Sequence, residues 1–148
     1  MSDLASKLRV AALLLLGRRE HSAQELTGKL ASRFSLPSGS PEIKAVLVYL
    51  QASAYQSDER FAEMFVRERR SRGYGPTRIE QELRLRGIHD ELIVQSVNRN
   101  DPDWNAVATA VRQKRFAAVS AQQLKDKARI SRFLHYRGFL SGQIQQAL

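Results

Sequence analysis

The sequence contains no cysteine, so neither a disulfide framework nor a thiolate metal site is available to it. Long apolar runs are also missing, because the longest, Val10–Leu16, is far shorter than the ~20 residues that span a bilayer. Lys7 and Arg9 precede this run, but the polar stretch 17–24 follows it where a signal peptide would have a small-residue cleavage site. We therefore expect a cytoplasmic protein without a membrane segment, in which this run is one buried helix face.

Residues that commonly carry catalysis or bind metals are few and scattered. The histidines, His21, His89 and His135, are isolated and do not have the spacing of metal ligands. The Gly-Tyr-Gly-Pro sequence at 73–76 lacks the spacing of a phosphate-binding loop. No Ser-His-Asp set or nucleotide fingerprint is readable. We therefore expect no enzymatic activity, no metal site and no cofactor.

Basic residues, in contrast, are abundant. The chain has 24 lysines and arginines against 15 acidic residues, a net charge of +9. The excess is concentrated in residues 103–148, which hold eight basic and two acidic residues. A basic C-terminal third indicates a polyanionic partner, either nucleic acid or an acidic protein surface. Solubility alone is the competing explanation, since many helical proteins are this positive without binding anything anionic.

Helix signals recur along the chain, whereas no stretch alternates like a strand. Capping boxes are found at Ser22 with Glu25 and at Ser120 with Gln123. A cap residue precedes a proline at Ser40 with Pro41 and at Gly75 with Pro76. Asp90 and Ser141 are single cap residues. Together with the apolar spacing, these signals predict nine helices at 3–18, 22–34, 41–53, 58–72, 76–86, 91–99, 103–117, 121–137 and 142–148.

An internal repeat explains this number of helices. Residues 79–93 align without gaps on residues 130–144, with the shared pattern I-x-x-x-L-x-x-R-G-[IF]. The first third of the chain joins the pattern through its middle helix, because Ser22 and Gly75 are equivalent caps. We therefore predict an all-α fold of three tandem three-helix repeats, at 1–56, 57–101 and 102–148.

The arginine-rich stretch 67–88 contains a corner between two predicted helices. Gly73 suits the left-handed end of one helix, and Gly75 with Pro76 begins the next, while Tyr74 stands at a hydrophobic-staple position. Seven arginines and three glutamates surround this corner. Favourable interaction with a helix C-terminus explains some of them, but not Arg78, which lies in the first turn of a helix. A contact surface and a solvated face of ion pairs both remain open.

Two basic clusters are the candidate binding residues. The first surrounds the corner and consists of Arg67, Arg70, Arg72 and Arg78. The second lies in the C-terminal third and consists of Lys114, Arg115, Lys125, Lys127, Arg129, Arg132 and Arg137. Residues 125, 129 and 132 share one face of a helix, and phosphate contacts there would make binding strongly dependent on salt.

The block Asp58–Ile88, with "HSAQELTGKL" before it and "RFLHYRGFL" after it, resembles the RecX family, bacterial regulators of the RecA recombinase. The family pattern is matched at Phe61, Phe65, Arg69 or Arg70, Gly73, Tyr74, Gly75, Pro76, Ile79, Glu82, Leu83, Gly87 and Ile88. This resemblance implies an elongated, curved array of three tandem three-helix units. It also implies binding along the groove of the RecA filament, with limits on filament growth, ATPase, strand exchange and coprotease activity. No catalytic residues come with it.

The resemblance favours a monomeric, non-enzymatic regulator of the RecA–DNA filament in DNA repair and the SOS response. A general basic helical protein that competes for DNA is the alternative interpretation. It has less support, because few aromatic residues lie among the basic ones as platforms for base stacking. An enzyme is the third interpretation, and turnover without a recombinase would support it.

Overall fold

The computed structural model describes residues 2–148, and this part of the chain is entirely helical, as predicted. Its helices are α1 (Asp3–Arg18), α2 (Ala23–Phe34), α3 (Pro41–Ala52), α4 (Asp58–Ser71), α5 (Pro76–Leu85), α6 (Asp90–Val97), α7 (Asp103–Phe116), α8 (Leu124–Tyr136) and α9 (Ser141–Ala147).

Local capping explains where most of these helices begin. At α2 the capping box is complete, since Ser22 Oγ accepts from Glu25 N (3.1 Å) and Glu25 Oε1 accepts from Ser22 N (3.0 Å). Ser40 caps α3 by accepting from Ile43 N at 3.2 Å, and Gly75 precedes the proline that begins α5. These starts were readable because the contacts span only three residues.

The capping box predicted at Ser120 is wrong. Helix α8 begins at Leu124, three residues after the predicted start, and Gln123 occupies the cap position without a side-chain bond. Ser120 Oγ instead accepts from Gln122 N at 3.3 Å, which closes a local turn that competes with the helix. The predicted caps Asp90 and Ser141 are likewise the first helical residues of α6 and α9.

Helix packing is organised in three groups, which we call the first triplet (α1–α3), the second triplet (α4–α6) and the third triplet (α7–α9). Every helix pair with extensive contact lies within one triplet. The apolar core is divided differently. Buried side chains of the first triplet form one cluster, whereas those of the second and third triplets form a single continuous cluster. The second and third triplets therefore share a core.

Trp104 anchors this shared core. Its side chain is completely buried, and its Nε1 donates to Val97 O (3.2 Å) and Asn98 O (3.1 Å). The indole of α7 thereby satisfies carbonyl groups at the C-terminal end of α6.

The repeated Arg-Gly sequence forms the joints between triplets. We call residues 86–87 and 137–138 the Arg-Gly turns, each of which links the second and third helices of its triplet. We call the turn that links the first and second helices the corner. In each joint, an Arg-Gly turn lies against the corner of the preceding triplet.

Equivalent positions meet in the two joints, although the donor atoms differ. In the first, Ser22 Oγ donates to Arg86 O at 2.8 Å. In the second, Gly75 N donates to Arg137 O at 2.8 Å, and Thr77 N donates to Gly138 O at 2.9 Å. Since Ser22 and Gly75 are equivalent cap positions, one mode of contact is used twice.

Candidate binding groove

A groove of ≈ 630 Å³ lies where the C-terminal end of α4 meets α7 and α8. It is lined by Arg70, Ser71, Arg72, Gly73, Ala106, Val107, Ala110, Val111, Lys114, Arg115, Phe133 and Arg137. We call it the basic groove. Its walls come from the second and third triplets, so the second joint fixes its shape.

The basic groove brings together members of both predicted basic clusters. Arg70 and Arg72 come from the end of α4, where Gly73 turns the chain away with φ +84°. Lys114 and Arg115 lie in the last turn of α7. Arg137 belongs to the third triplet's Arg-Gly turn, and its Nη1 donates to Arg72 O at 3.1 Å.

These cations have little acidic company. None of the lining residues is acidic, and within residues 2–148 no carboxylate forms an ion pair with Arg72, Lys114, Arg115 or Arg137. Arg70 Nη2 lies 3.9 Å from Asp101 Oδ2, which is too far for a hydrogen bond.

Arg70 has unused hydrogen-bonding capacity beside the groove. Its guanidinium lies over the Trp104 ring, 4.1 Å from the centroid. The buried Nε and Nη2 atoms donate to no acceptor within residues 2–148. Arg70 therefore brings to the groove a charge that no hydrogen-bonded carboxylate balances.

The floor of the basic groove is apolar, and sequence reasoning missed it. Ala106 with Ala110, and Val107 with Val111, are spaced four residues apart on α7, and Phe133 of α8 completes the surface. The apolar spacing was readable, but such residues are usually taken as core. Only the packed structure shows that this row is partly open to solvent.

Two predicted residues of the corner cluster lie outside the groove. Arg67 is exposed on α4. Arg78 is half-buried, with its guanidinium 4.6 Å from the Tyr74 ring centroid and 5.4 Å from that of Tyr136. Its Nε is 3.8 Å from Glu82 Oε2. Packing at the second joint therefore accounts for Arg78, despite its place in the first turn of a helix.

Of the remaining candidates, all exposed on α8, Lys127 lies on one side of the helix, and Lys125, Arg129 and Arg132 lie on the opposite side, which we call the α8 face. It does not line the basic groove. Arg129 Nη2 lies 3.8 Å from Asp126 Oδ1, and its guanidinium lies 5.5 Å from the Phe116 ring centroid. The two lysines have no acidic partner among the described residues.

Arg69 differs from the neighbouring arginines because it forms a bidentate ion pair with Glu82. Its Nε and Nη2 donate to both carboxylate oxygens of Glu82, at 2.9 and 2.7 Å, and its guanidinium lies 3.9 Å from the Tyr74 ring centroid. Burial opposes its charged form, but the hydrogen bonds and charge of Glu82, together with Tyr74, outweigh burial and raise the pKa of Arg69. This arginine holds the corner of the second triplet.

The other motif residues also lie at this corner, in the shared core or at the first joint. The rings of Phe61 and Phe65 stack with centroids 5.6 Å apart, and Ile79 and Leu83 are completely buried. A Cβ at Gly87 would overlap the side chain of Gln24 across the first joint. Most residues that match the family pattern thus serve packing and joints, although Gly73 and Arg70 also line the basic groove.

The chemistry that the described residues offer is positive charge beside apolar surface. No group of three or more His, Asp or Glu side chains between residues 2 and 148 has an arrangement that could hold a metal ion. None of the helices in that range is both long and apolar enough to cross a bilayer.

The fold defines the class of protein: a tandem array of three-helix units in which two adjacent units enclose a basic groove. Two family models match this array, the second three-helix domain of RecX at residues 57–96 and the third at residues 102–148. The chain belongs to the RecX family.

Relatives along the whole chain agree with this assignment. The regulatory protein RecX of Halorhodospira halophila is 43% identical over 140 residues, which cover 95% of this chain and 85% of that protein. The regulatory protein RecX of Chromohalobacter salexigens is 38% identical over 148 residues, with 100% and 95% covered. That of Escherichia coli K12 is 34% identical, with 95% and 89% covered.

Solved structures show the same fold at lower identity. The crystal structure of RecX from Lactobacillus salivarius superimposes with a TM-score of 0.82 at 22% identity, covering 99% of this chain and 96% of that one. A second crystal structure of a regulatory protein RecX has a TM-score of 0.81 at 19% identity, covering 98% and 71%.

Proposed function

We propose that this protein is a non-enzymatic regulator of the RecA recombinase that binds the RecA–DNA filament. The observation that carries this proposal is family membership, since relatives named regulatory protein RecX match at 34–43% identity along nearly the whole chain. In this role the protein limits filament growth and thereby the ATPase, strand exchange and coprotease activities in DNA repair and the SOS response.

The structure supports a regulator that acts by contact. Five of the eleven predicted basic residues line one groove, and four more are exposed on α8 of the third triplet. Both surfaces suit an acidic or DNA-containing partner. We assign the contact to these two surfaces, and we place the protein in the cytoplasm as a monomer.

The repeat units of this proposal are residues 1–56, 57–101 and 102–148. Each contributes one triplet, and the joints hold consecutive triplets in a fixed relation. An array of this kind presents an extended surface, and an extended surface fits a filament better than a single RecA subunit.

The DNA-stimulated ATPase of the cognate RecA filament, titrated with this protein, tests the proposed function. DNA is held in large excess over the added protein, so that sequestration of DNA cannot explain a loss of activity. We expect inhibition at less than one molecule of this protein per RecA subunit, because each bound molecule that blocks filament growth affects many RecA subunits. An unchanged ATPase rate would refute the proposal.

A general DNA-binding protein is the second candidate, and the unpaired lysines of α8 favour it. Lys125 and Lys127 are exposed and have no acidic partner among the described residues. This alternative predicts tight binding to bare DNA that falls steeply between about 50 and 200 mM salt. Such binding, together with an unchanged filament ATPase, would support it over the regulator.

A further inference from the structure

We propose that the basic groove binds a short acidic peptide segment with a bulky apolar side chain at its centre, presented by the regulated protein partner. The inference deepens the proposed function and rests on it, because it assigns a chemistry to one of the contacts with the partner. The apolar side chain occupies the floor on α7 and α8, and carboxylates on either side meet the cations of the rim.

The rim accounts for the acidic part of the segment. Cations stand on both sides of the floor, Arg70 and Arg72 from α4 on one side and Lys114 and Arg115 from α7 on the other. Only the first of these has a carboxylate nearby, at 3.9 Å. A bound acidic segment would therefore gain ion pairs without breaking existing ones.

Arg70 adds a fixed position to this charge. Its guanidinium lies over the Trp104 ring, 4.1 Å from the centroid, and its buried Nε and Nη2 have no acceptor among the described residues. Because these two atoms are shielded from solvent, a carboxylate in the groove would meet the guanidinium as a localised positive charge beside the apolar floor.

The floor accounts for the apolar part of the segment. A volume of ≈ 630 Å³ lies within the range of about 300–1,000 Å³ typical of ligand pockets. The floor consists of alanine, valine and phenylalanine side chains. Its one aromatic ring, Phe133, packs edge-on against Phe116 at 5.6 Å. The guanidiniums of Arg115 and Arg137 lie 5.0 and 5.2 Å from the Phe133 centroid, which leaves little room for a stacked base. Phosphates and sugars of DNA would leave this apolar surface without a partner, whereas an aliphatic or aromatic side chain would cover it.

Fluorescence anisotropy with three labelled probes tests the groove on the full chain. The first probe is a twelve-residue peptide of aspartate and glutamate with a phenylalanine and a leucine at its centre. The second is the same peptide with glycine at both apolar positions. The third is a twenty-nucleotide single-stranded DNA. We expect the first probe to bind at least about 10-fold more tightly than the second, because only the first covers the floor.

Two matched pairs of substitutions locate the binding site. Thr109 and Ala110 are both exposed on α7, but only the second lines the groove, so Ala110→Glu and Thr109→Glu make the same charge change inside and outside it. Lys114→Ala and Lys125→Ala form the corresponding pair for loss of one cation. We expect Ala110→Glu to weaken binding of the first probe about 10-fold or more and Lys114→Ala about 3–10-fold, with both controls within about 2-fold.

Three results would overturn the inference. Equal weakening by both members of each pair would show that binding depends only on the net charge of the protein. Equal affinity for the two peptides would show that the floor is not used. Competition by the DNA probe, with the same loss on Ala110→Glu, would make the groove a nucleic-acid surface.

Peptide binding and filament inhibition are measured separately, so the two proposals can fail separately. Inhibition of the filament ATPase without binding of the first probe would leave the regulator and refute the groove. Binding of that probe without inhibition would leave the groove and refute the regulator.

Discussion

At Gly75 the backbones of two triplets lie too close for any side chain. A Cβ at this position would lie 2.5 Å from Gly138 C and from Phe139 N, which are backbone atoms that cannot move aside singly. The glycine is required here by the close approach, since its φ of −94° is open to any residue. Sequence reasoning placed Gly75 correctly as a helix cap but could not reveal this second role.

We therefore expect Gly75→Ala to lower the free energy of unfolding by about 1–3 kcal/mol, because the methyl group forces the second joint apart. Urea unfolding followed by circular dichroism would measure the change. Gly28→Ala is the matched control, because Gly28 lies inside α2 with nothing within 4 Å of its Cβ position. That substitution should instead stabilise the protein by up to about 1 kcal/mol. Equal effects at the two positions would contradict the proposed close approach.

His21 is the histidine from which we expect acid sensitivity in the first triplet. It is buried, its Nδ1 lies 3.0 Å from Arg19 O, and its Nε2 lies 3.0 Å from Lys29 Nζ. Burial lowers the pKa of His21 below 6.5, and the charges of Arg19 and Lys29 act in the same direction; the bond to the Arg19 carbonyl and the carboxylate of Glu25 oppose them. The neutral form is therefore the one that the folded chain favours.

Acidification should accordingly reduce stability, because below pH 6.5 the unfolded chain binds a proton that folded His21 takes up only at lower pH. We expect the urea midpoint of the wild type to fall between pH 7.5 and 5.5 and the fall to be smaller in His21→Gln. His135→Gln, at an exposed position of α8, should keep the wild-type dependence. The pKa of Glu25 is also lowered, but from 4.5, so its effect begins below this window. The same midpoint shift in all three proteins would exclude His21 as the cause.

Among the elements, the helices that begin at a local capping motif were predictable from the sequence, and the joints between triplets were not. The cap of α2 depends on residues three positions apart, so sequence alone identified it. The late start of α8 depends on a competing turn at Ser120. The same serine can cap a helix or close this turn, and both structures depend on residues only two or three positions away, so the sequence did not distinguish them. The Arg-Gly repeat was visible as self-similarity, but a repeat does not indicate which surface it contacts.

Ser22 tests the joint at this scale, because its hydroxyl both caps α2 and donates to Arg86 O. Ser22→Ala should cost about 2 kcal/mol, roughly half from the lost cap and half from the carbonyl left without its donor. Ser40→Ala removes a buried cap of α3 that is not part of a joint, and it should cost about 1 kcal/mol. Chemical denaturation of both variants would measure the difference, and equal losses would mean that the joint bond contributes nothing.

At the scale of the whole molecule, the apolar core divides into two parts, although the helices divide into three triplets. The sequence predicted three similar units, and the fold confirms tandem three-helix domains. The shared core of the second and third triplets was not predicted, because periodicity identifies which residues are buried but not which buried faces meet. The basic groove follows from this sharing, since its walls come from both triplets.

We expect the two cores to lose stability separately. Leu30→Ala, in the core of the first triplet, should cost about 2–5 kcal/mol there and leave amide hydrogen exchange in α4–α9 unchanged. Leu83→Ala, in the shared core, should speed exchange in the second and third triplets together. Hydrogen exchange measured by mass spectrometry distinguishes the segments. Faster exchange along the whole chain in Leu30→Ala would show that the protein unfolds as a single unit.

The Arg-Gly joint also bears on self-association. Each joint is directional, with a corner facing the turn of the following triplet, and contacts of this head-to-tail kind generate open fibres when copies can supply both halves. Here both Arg-Gly turns are occupied by corners of the same molecule, and α2 leads into Ser35 where the other triplets have Arg-Gly. The corner of the third triplet, residues 117–123, has no Arg-Gly turn against it, and another copy has no unoccupied Arg-Gly turn that could bind there. Through this contact, the length of the array is set by the chain itself and not by the concentration of the protein.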